Sequence, residues 1–256
     1  RKKSKMQIRD LLAPAGNLEK LQFAFAYGAD AVYCGMKNFS LRAQSQNFEW
    51  DELEEGVRLA HSLDKRIYVT VNLFAHNDDL AELPLFLRRL QQLNVDAVIV
   101  SDPGVLRIIK RETLDMEIHL STQANATNWE SILFWQEQGF QRIIPARELT
   151  LSELKEICRN TNIELEIFVH GAVCMAYSGR CFLSHFYTER DANRGNCSQP
   201  CRWKYALIEE TRPGLYQPIE ETEKGTFFLS AYDLNLLDLL PEITAMRIAS
   251  LKIEGR

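Results

Sequence analysis

Short apolar or β-branched runs alternate with amphipathic segments along nearly the whole chain, and this rhythm constrains the fold more than any other feature. The runs lie at residues 8–13, 31–34, 66–71, 97–100, 117–120, 142–144, 164–169 and 248–253. Between them, apolar residues recur at helical spacing, as in Leu53, Val57 and Ala60, or Leu83, Phe86, Leu87 and Leu90. Helix-start signals sit where the rhythm needs them. Asn17 is placed to cap a helix over 18–27, Asp102-Pro103 opens another, and Thr150 or Ser152 a third. Strands and helices alternating at this spacing imply parallel βαβ units. Eight runs favour an α/β TIM-barrel-like (β/α)8 barrel over an open doubly wound sheet. No G-x-G-x-x-G follows the first run, which weakens the dinucleotide-binding alternative.

The rhythm breaks once. Residues 171–230 form a cysteine-rich insertion after the seventh run, with short strands expected at 205–209 and 226–229. A helix over 234–243 then resumes the pattern. The 256 residues, 46% hydrophobic and 25% charged, suit one barrel domain over 1–256. A full barrel needs a further helix after the eighth run, so the expectation is a C-terminal truncation. No window approaches the ~18 uncharged apolar residues of a membrane span. The basic stretch Arg1 to Arg9 lacks a following apolar region, and the expected compartment is the cytoplasm. A net charge of −5 argues against a general polyanion binder, so nucleic acid must be met by a local patch. Nothing in the sequence fixes an oligomeric state.

In such a barrel the chemistry sits at the carboxyl ends of the strands. Asn72, Ser121, Gln123, Arg147, His170 and Lys252 fall there, and the insertion leaves from the same rim. It carries Cys174, Cys181, Cys197 and Cys201, separated by six, fifteen and three residues. Thiolates favour zinc or iron–sulfur clusters. Only Cys197 and Cys201 have the spacing of a structural zinc pair, and the wide intervals suit an iron–sulfur cluster better, with zinc as the alternative metal. Around them, Arg180, Arg190, Arg194, Arg202 and Lys204 interleave with Phe182, Phe186, Tyr187, Trp203 and Tyr205. Cations with aromatics can hold single-stranded nucleic acid by phosphate contact and base stacking; a solvated face with apolar anchors reads equally well. Glu166, Phe168 and His170 are expected on one face of the seventh strand, where a buried Glu166 would need Arg147 or Lys252 as partner.

The residues from Glu166 to Cys174, followed by Gly179-Arg180-Cys181-Phe182-Leu183-Ser184, resemble the signature of the collagenase-like peptidase family U32. So do Arg190 to Gly195, Cys197-Ser198-Gln199-Pro200-Cys201-Arg202-Trp203, the opening Leu11 to Gly16, and the closing Ser250 to Arg256. The resemblance covers nearly the whole chain and is most similar to the branch of tRNA uridine hydroxylases. It implies a tRNA-modifying enzyme making 5-hydroxyuridine at the wobble position of the anticodon loop, with prephenate as cosubstrate. It also implies a four-iron four-sulfur (4Fe-4S) cluster on Cys174, Cys181 and Cys197. The family often has its fourth cysteine where this chain has Asn235, and Cys201 is the substitute at hand. The resemblance further implies a β-rich C-terminal extension in the family, which is expected to lie outside these 256 residues. Glu166, His170, Arg147 and Lys252 are the candidate catalytic residues, the last two also for an anionic cosubstrate, because guanidinium suits planar carboxylates. Arg180, Arg190, Arg194, Arg202 and Trp203 are the candidate RNA contacts. The alternatives are a noncatalytic, metal-stapled barrel holding RNA or a partner, and a peptidase. For the last there is neither an H-E-x-x-H site nor a G-x-S-x-G elbow.

Overall fold

A computed structural model describes residues 8–255, except 38, 41–46, 113–114, 204, 209–210, 212, 215 and 219–232. Seven strands arise in order: β1 (Asp10–Pro14), β2 (Ala31–Gly35), β3 (Arg66–Val71), β4 (Ala97–Val100), β5 (Glu117–Leu120), β6 (Arg142–Ile143) and β7 (Glu164–Gly171). In the insertion, β8 (Ala206–Ile208) and β9 (Tyr216–Pro218) form an antiparallel pair of their own. Beyond it come β10 (Leu234–Asn235) and β11 (Ser250–Ile253). Parallel pairing runs from β1 through β7, then β7 to β11 and β11 back to β1, which closes an eight-strand barrel. The expected barrel is therefore the fold.

Helices α1 (Leu18–Ala26), α2 (Trp50–Ser62), α3 (Asn77–Gln92), α4 (Pro103–Arg111), α5 (Trp129–Glu137) and α6 (Leu151–Asn160) cover the outside. Their starts follow from local chemistry. The Asn17 side chain accepts from the Lys20 N–H at 2.9 Å, and Asp102 accepts from Gly104 and Val105 ahead of Pro103. Thr150 and Glu153 close a capping box before α6. Residues such as Leu53, Leu83, Leu87 and Leu90 on these helices are buried against the outward faces of the strands. The inward faces alternate with them. Leu12, Ala31, Tyr33, Tyr68, Ala97, Ile99 and Ile144 form a separate apolar layer inside the barrel.

Below that layer the barrel is plugged by charge. Arg142 is buried and donates to Asp10 at 2.6 Å, Glu164 at 2.8 Å and Glu166 at 3.3 Å. Glu166 also accepts from Lys252 Nζ at 2.8 Å, and Arg66 pairs with Asp10. Glu166's partners are thus Lys252 and Arg142; Arg147, the other expected partner, pairs with Glu254 at 3.4 Å instead. The register of β7 against β11 shifts between Lys252 and Ile253, opposite Phe168 and His170. This bulge breaks the alternation, so Glu166 is enclosed while His170 turns outward and is exposed, and the three residues do not share one face.

Two further differences concern the segment after β7. The strand expected at 226–229 lies outside the described residues. The helix expected over 234–243 starts late. Leu234 and Asn235 pair antiparallel with Gly171 and His170, a 3-10 turn covers Leu237–Leu239, and α8 (Leu240–Thr244) begins only there. Pro241 in its first turn suits a helix start. The β7 edge offered a better set of backbone partners to the two residues before.

Candidate active site at the barrel mouth

The strand ends surround a cavity of ≈ 600 Å³, roofed by the insertion. Gly171 is the hinge where the insertion departs. Its φ is +115°, and a Cβ there would lie 2.7 Å from the Glu254 carbonyl oxygen, so only glycine passes this point without strain. A short helix, α7 (Leu183–Thr188), and several 3-10 turns carry the roof. Polar ties hold it to three separate barrel loops. Buried Ser178 donates its N–H to Glu148 at 2.6 Å and its hydroxyl to Asn125 at 2.7 Å. Arg180 donates to the Gln123 carbonyl at 2.8 Å. Arg194 grips Asp79 with two bonds, at 2.7 and 2.9 Å, and the Phe74 carbonyl at 3.1 Å.

The floor and walls differ in chemistry. From β3 and β5 come Thr70, Asn72, Ser121 and Gln123, a neutral hydrogen-bonding wall. From β6, β7 and β11 come Arg147, Phe168, Lys252 and Glu254. The Lys252 ammonium lies 4.2 Å from the Tyr33 ring centre and 5.4 Å from that of Phe168, besides its bond to Glu166. Burial pushes the Glu166 carboxyl up, but Lys252 and Arg142 outweigh it and hold the group below the ordinary carboxylate range. Glu166 is therefore held as an anion, in hydrogen-bond contact with Lys252 Nζ at 2.8 Å.

All six cysteines are thiols, and Cys174, Cys181, Cys197 and Cys201 line this one cavity. Among the described residues, no three His, Cys, Asp or Glu side chains converge on a single ion-sized point. Burial pushes the Cys174 thiol up; Arg147 pulls it down, while Cys181 and Cys201 nearby add to the rise. Asn235 is elsewhere: it lies on β10 and its side chain accepts from the Leu237 N–H.

Of the sequence candidates, Arg147, Lys252, Arg190 and the four cysteines meet at the cavity. His170 and Glu166 do not line it. Arg194 is tied to Asp79, and Arg202 reaches Asp233 at 3.3 Å. Trp203 is exposed, its ring centre 5.8 Å from that of Tyr187. Phe182 and Phe186 are 82% and 78% exposed, large apolar surface that a free-standing roof has no folding reason to display. The neutral wall was harder to see in the sequence. Asn72, Ser121 and Gln123 were only polar strand ends until the barrel closed. Cys34 is on the cavity wall as well, yet burial pushes its thiol up to about 12, which makes it a poor nucleophile.

Residues 16–256 match the profile of Peptidase family U32. This chain belongs to that family. The U32 chain is 45% identical over 247 residues to the tRNA hydroxylation protein P1 of Bacillus subtilis, covering 96% of this chain and 58% of that protein. It is 37% identical over 247 residues to a 23S rRNA 5-hydroxycytidine synthase of Escherichia coli, covering 96% of this chain and 36% of that protein. The chain thus spans about three-fifths of the first relative's length. A solved structure of a U32 peptidase shares the fold, with a TM-score of 0.62 at 15% identity, covering 100% of this chain and 97% of the other. Among the described residues, no helix is long and apolar enough to cross a membrane.

Proposed function

We propose that this U32 protein is an RNA hydroxylase that converts a wobble uridine of tRNA to 5-hydroxyuridine. The observation that carries the reading is the cavity itself: a neutral hydrogen-bonding wall, a cationic wall and four thiols meet in ≈ 600 Å³ beneath a roof with exposed aromatics. A base inside an anticodon loop is reached by extrusion, and such a cavity has room for the flipped nucleotide. The names of the relatives point to RNA hydroxylation in the same direction.

Four thiols border one cavity, a donor set whose soft chemistry suits an iron–sulfur cluster. Cys174, Cys181, Cys197 and Cys201 would hold it, and it would supply one-electron transfer beside the base. Lys252 and Arg147 suit the carboxylates of an anionic cosubstrate such as prephenate. Arg147 has Glu254 on one side and the Phe168 ring at 5.3 Å, so its planar group is oriented before any ligand arrives. Phe182, Phe186 and Trp203 would stack loop bases, while Arg180, Arg190 and Arg202 neutralise phosphates. The cytoplasm, where tRNA is modified, is the compartment this reading requires.

Two measurements test it. The full-length protein, purified without air, should carry iron and acid-labile sulfide and a visible absorption band. Transfer RNA from a strain lacking the protein should lose its 5-hydroxyuridine derivatives. Unchanged nucleosides would sink the enzymatic reading, and zinc in place of iron would sink the cluster.

A further inference from the structure

We propose that Gln123 is the residue that selects uracil over cytosine in this cavity; the inference rests on the RNA-hydroxylase reading above. Relatives of the chain include a tRNA hydroxylation protein and a 5-hydroxycytidine synthase. One barrel design therefore serves two pyrimidines. The two bases differ where they pair: uracil has a carbonyl oxygen at ring position 4, an acceptor, and cytosine has an amine there, a donor. Telling them apart needs a wall group whose hydrogen-bonding sense is fixed in advance.

Gln123 meets that requirement. It follows β5 on the 3-10 turn Thr122–Ala124 and lines the cavity. Its amide oxygen accepts from Asn72 Nδ2 at 3.2 Å and from the Ser121 hydroxyl. Asn72 Nδ2 is also 3.3 Å from Ser121 Oγ, so the three side chains form one closed cluster. Turning the amide over would set Nε2 against Asn72 Nδ2, donor against donor, which opposes the flipped orientation. Rotation of the whole residue is opposed from the other side, where Arg180 clamps its backbone carbonyl through two nitrogens, at 2.8 and 3.2 Å. What remains is Nε2, which has no hydrogen bond to any described residue. It lies beneath Gly179, 3.6 Å from where a Cβ would stand, and Arg147 Nη2 is 3.8 Å from the same point. Two donors thus lie within 4 Å of one point on the cavity lining. A carbonyl oxygen suits that point, and an amine leaves donors opposed and unpaired.

The test uses the full-length protein in a strain lacking its own copy, supplied with one tRNA carrying either U or C at the wobble position. Mass spectrometry reads 5-hydroxyuridine and 5-hydroxycytidine. The wild type should modify U. Gln123→Glu, which replaces the donor by an acceptor of the same shape, should shift the U-to-C product ratio by about tenfold or more toward C. Gln123→Met, which removes the amide and keeps the bulk, should lower modification of U without raising that of C. Thermal melting of both purified variants checks that they fold, and if the glutamate variant does not, the methionine variant decides. An unchanged U-to-C ratio in a folded variant, with an active wild type, overturns the role of Gln123 and leaves the hydroxylase reading intact. A wild type that modifies neither base overturns both.

Discussion

The plug at the bottom of the barrel and the roof at its top use similar residues to opposite ends. In the plug, Arg142, Asp10, Glu166 and Lys252 are all enclosed, and every charge has an opposite charge in contact. The roof has at least as many arginines, but they are half-buried or exposed: Arg180 and Arg190 bond to a carbonyl and an amide, and Arg194 and Arg202 reach the carboxylates of Asp79 and Asp233. The plug belongs to four different strands, so it cannot loosen in part. The roof is tied at a few points and leaves thiols and aromatic rings showing. The difference separates what holds the barrel closed from what is available for chemistry, and Lys252 is where the two meet: its ammonium is part of the plug and of the cavity wall.

That contrast can be broken most sharply at Arg142. Arg142→Met removes the only cation among the described residues that touches both Asp10 and Glu166 and should destabilise the protein by about 3–5 kcal/mol, read from urea unfolding. A loss under about 1 kcal/mol would show that water reaches the plug. A roof substitution should behave the other way. Cys181→Ser should change unfolding free energy by no more than about 0.5 kcal/mol, yet abolish bound iron and the hydroxylated nucleoside. Stability lost together with iron would instead make the roof part of the folding core.

The two carboxyl and imidazole groups of the plug give a pH signature. Glu166 is held below its ordinary 4.5, so its stabilisation is complete above that value and drains away as pH falls through the folded-state pKa. His119 is fully enclosed, and burial holds it below its ordinary 6.5 despite its bond to Glu117. The unfolded chain takes up that proton first, so stability should already decline as pH drops below 6.5. Urea midpoints between neutral pH and pH 4 should show this slope, and His119→Leu should flatten its upper part. An identical slope in the variant would assign the effect to other groups.

Smaller effects sharpen the same comparison. Arg194→Ala cuts the roof from Asp79 and should cost about 1 kcal/mol, with proteolysis appearing in the roof before the barrel. Thr150→Ala, on the outer face, should cost about 1 kcal/mol through the lost cap of α6 and leave nucleoside levels untouched.

Much of this molecule was legible before any coordinates. The runs at 66–71, 97–100 and 117–120 are strands with those very limits, because β-branched residues in short bounded runs have one good use in a parallel sheet. The caps at Asn17, Asp102 and Thr150 are local chemistry and needed no tertiary partner. The gathering of four cysteines near one rim followed from their place after the seventh run. Less legible was the outward turn of His170, which depends on a register shift against β11, a strand more than eighty residues away. Leu234 and Asn235 likewise read as helix until the edge of β7 is known to be free to pair with them.

By itself, the sequence determined that strands and helices alternate, where the capped helices start, and that the cysteines leave from the barrel mouth, since periodicity and capping are properties of neighbouring residues. Only the tertiary structure decided which charges neutralise one another and which polar groups face the cavity. Arg142 finds Asp10 across 132 residues of chain, and Asn72 meets Ser121 and Gln123 across 49 and 51. Such pairs exist only when a closed ring brings strand ends together, and no local pattern encodes that meeting.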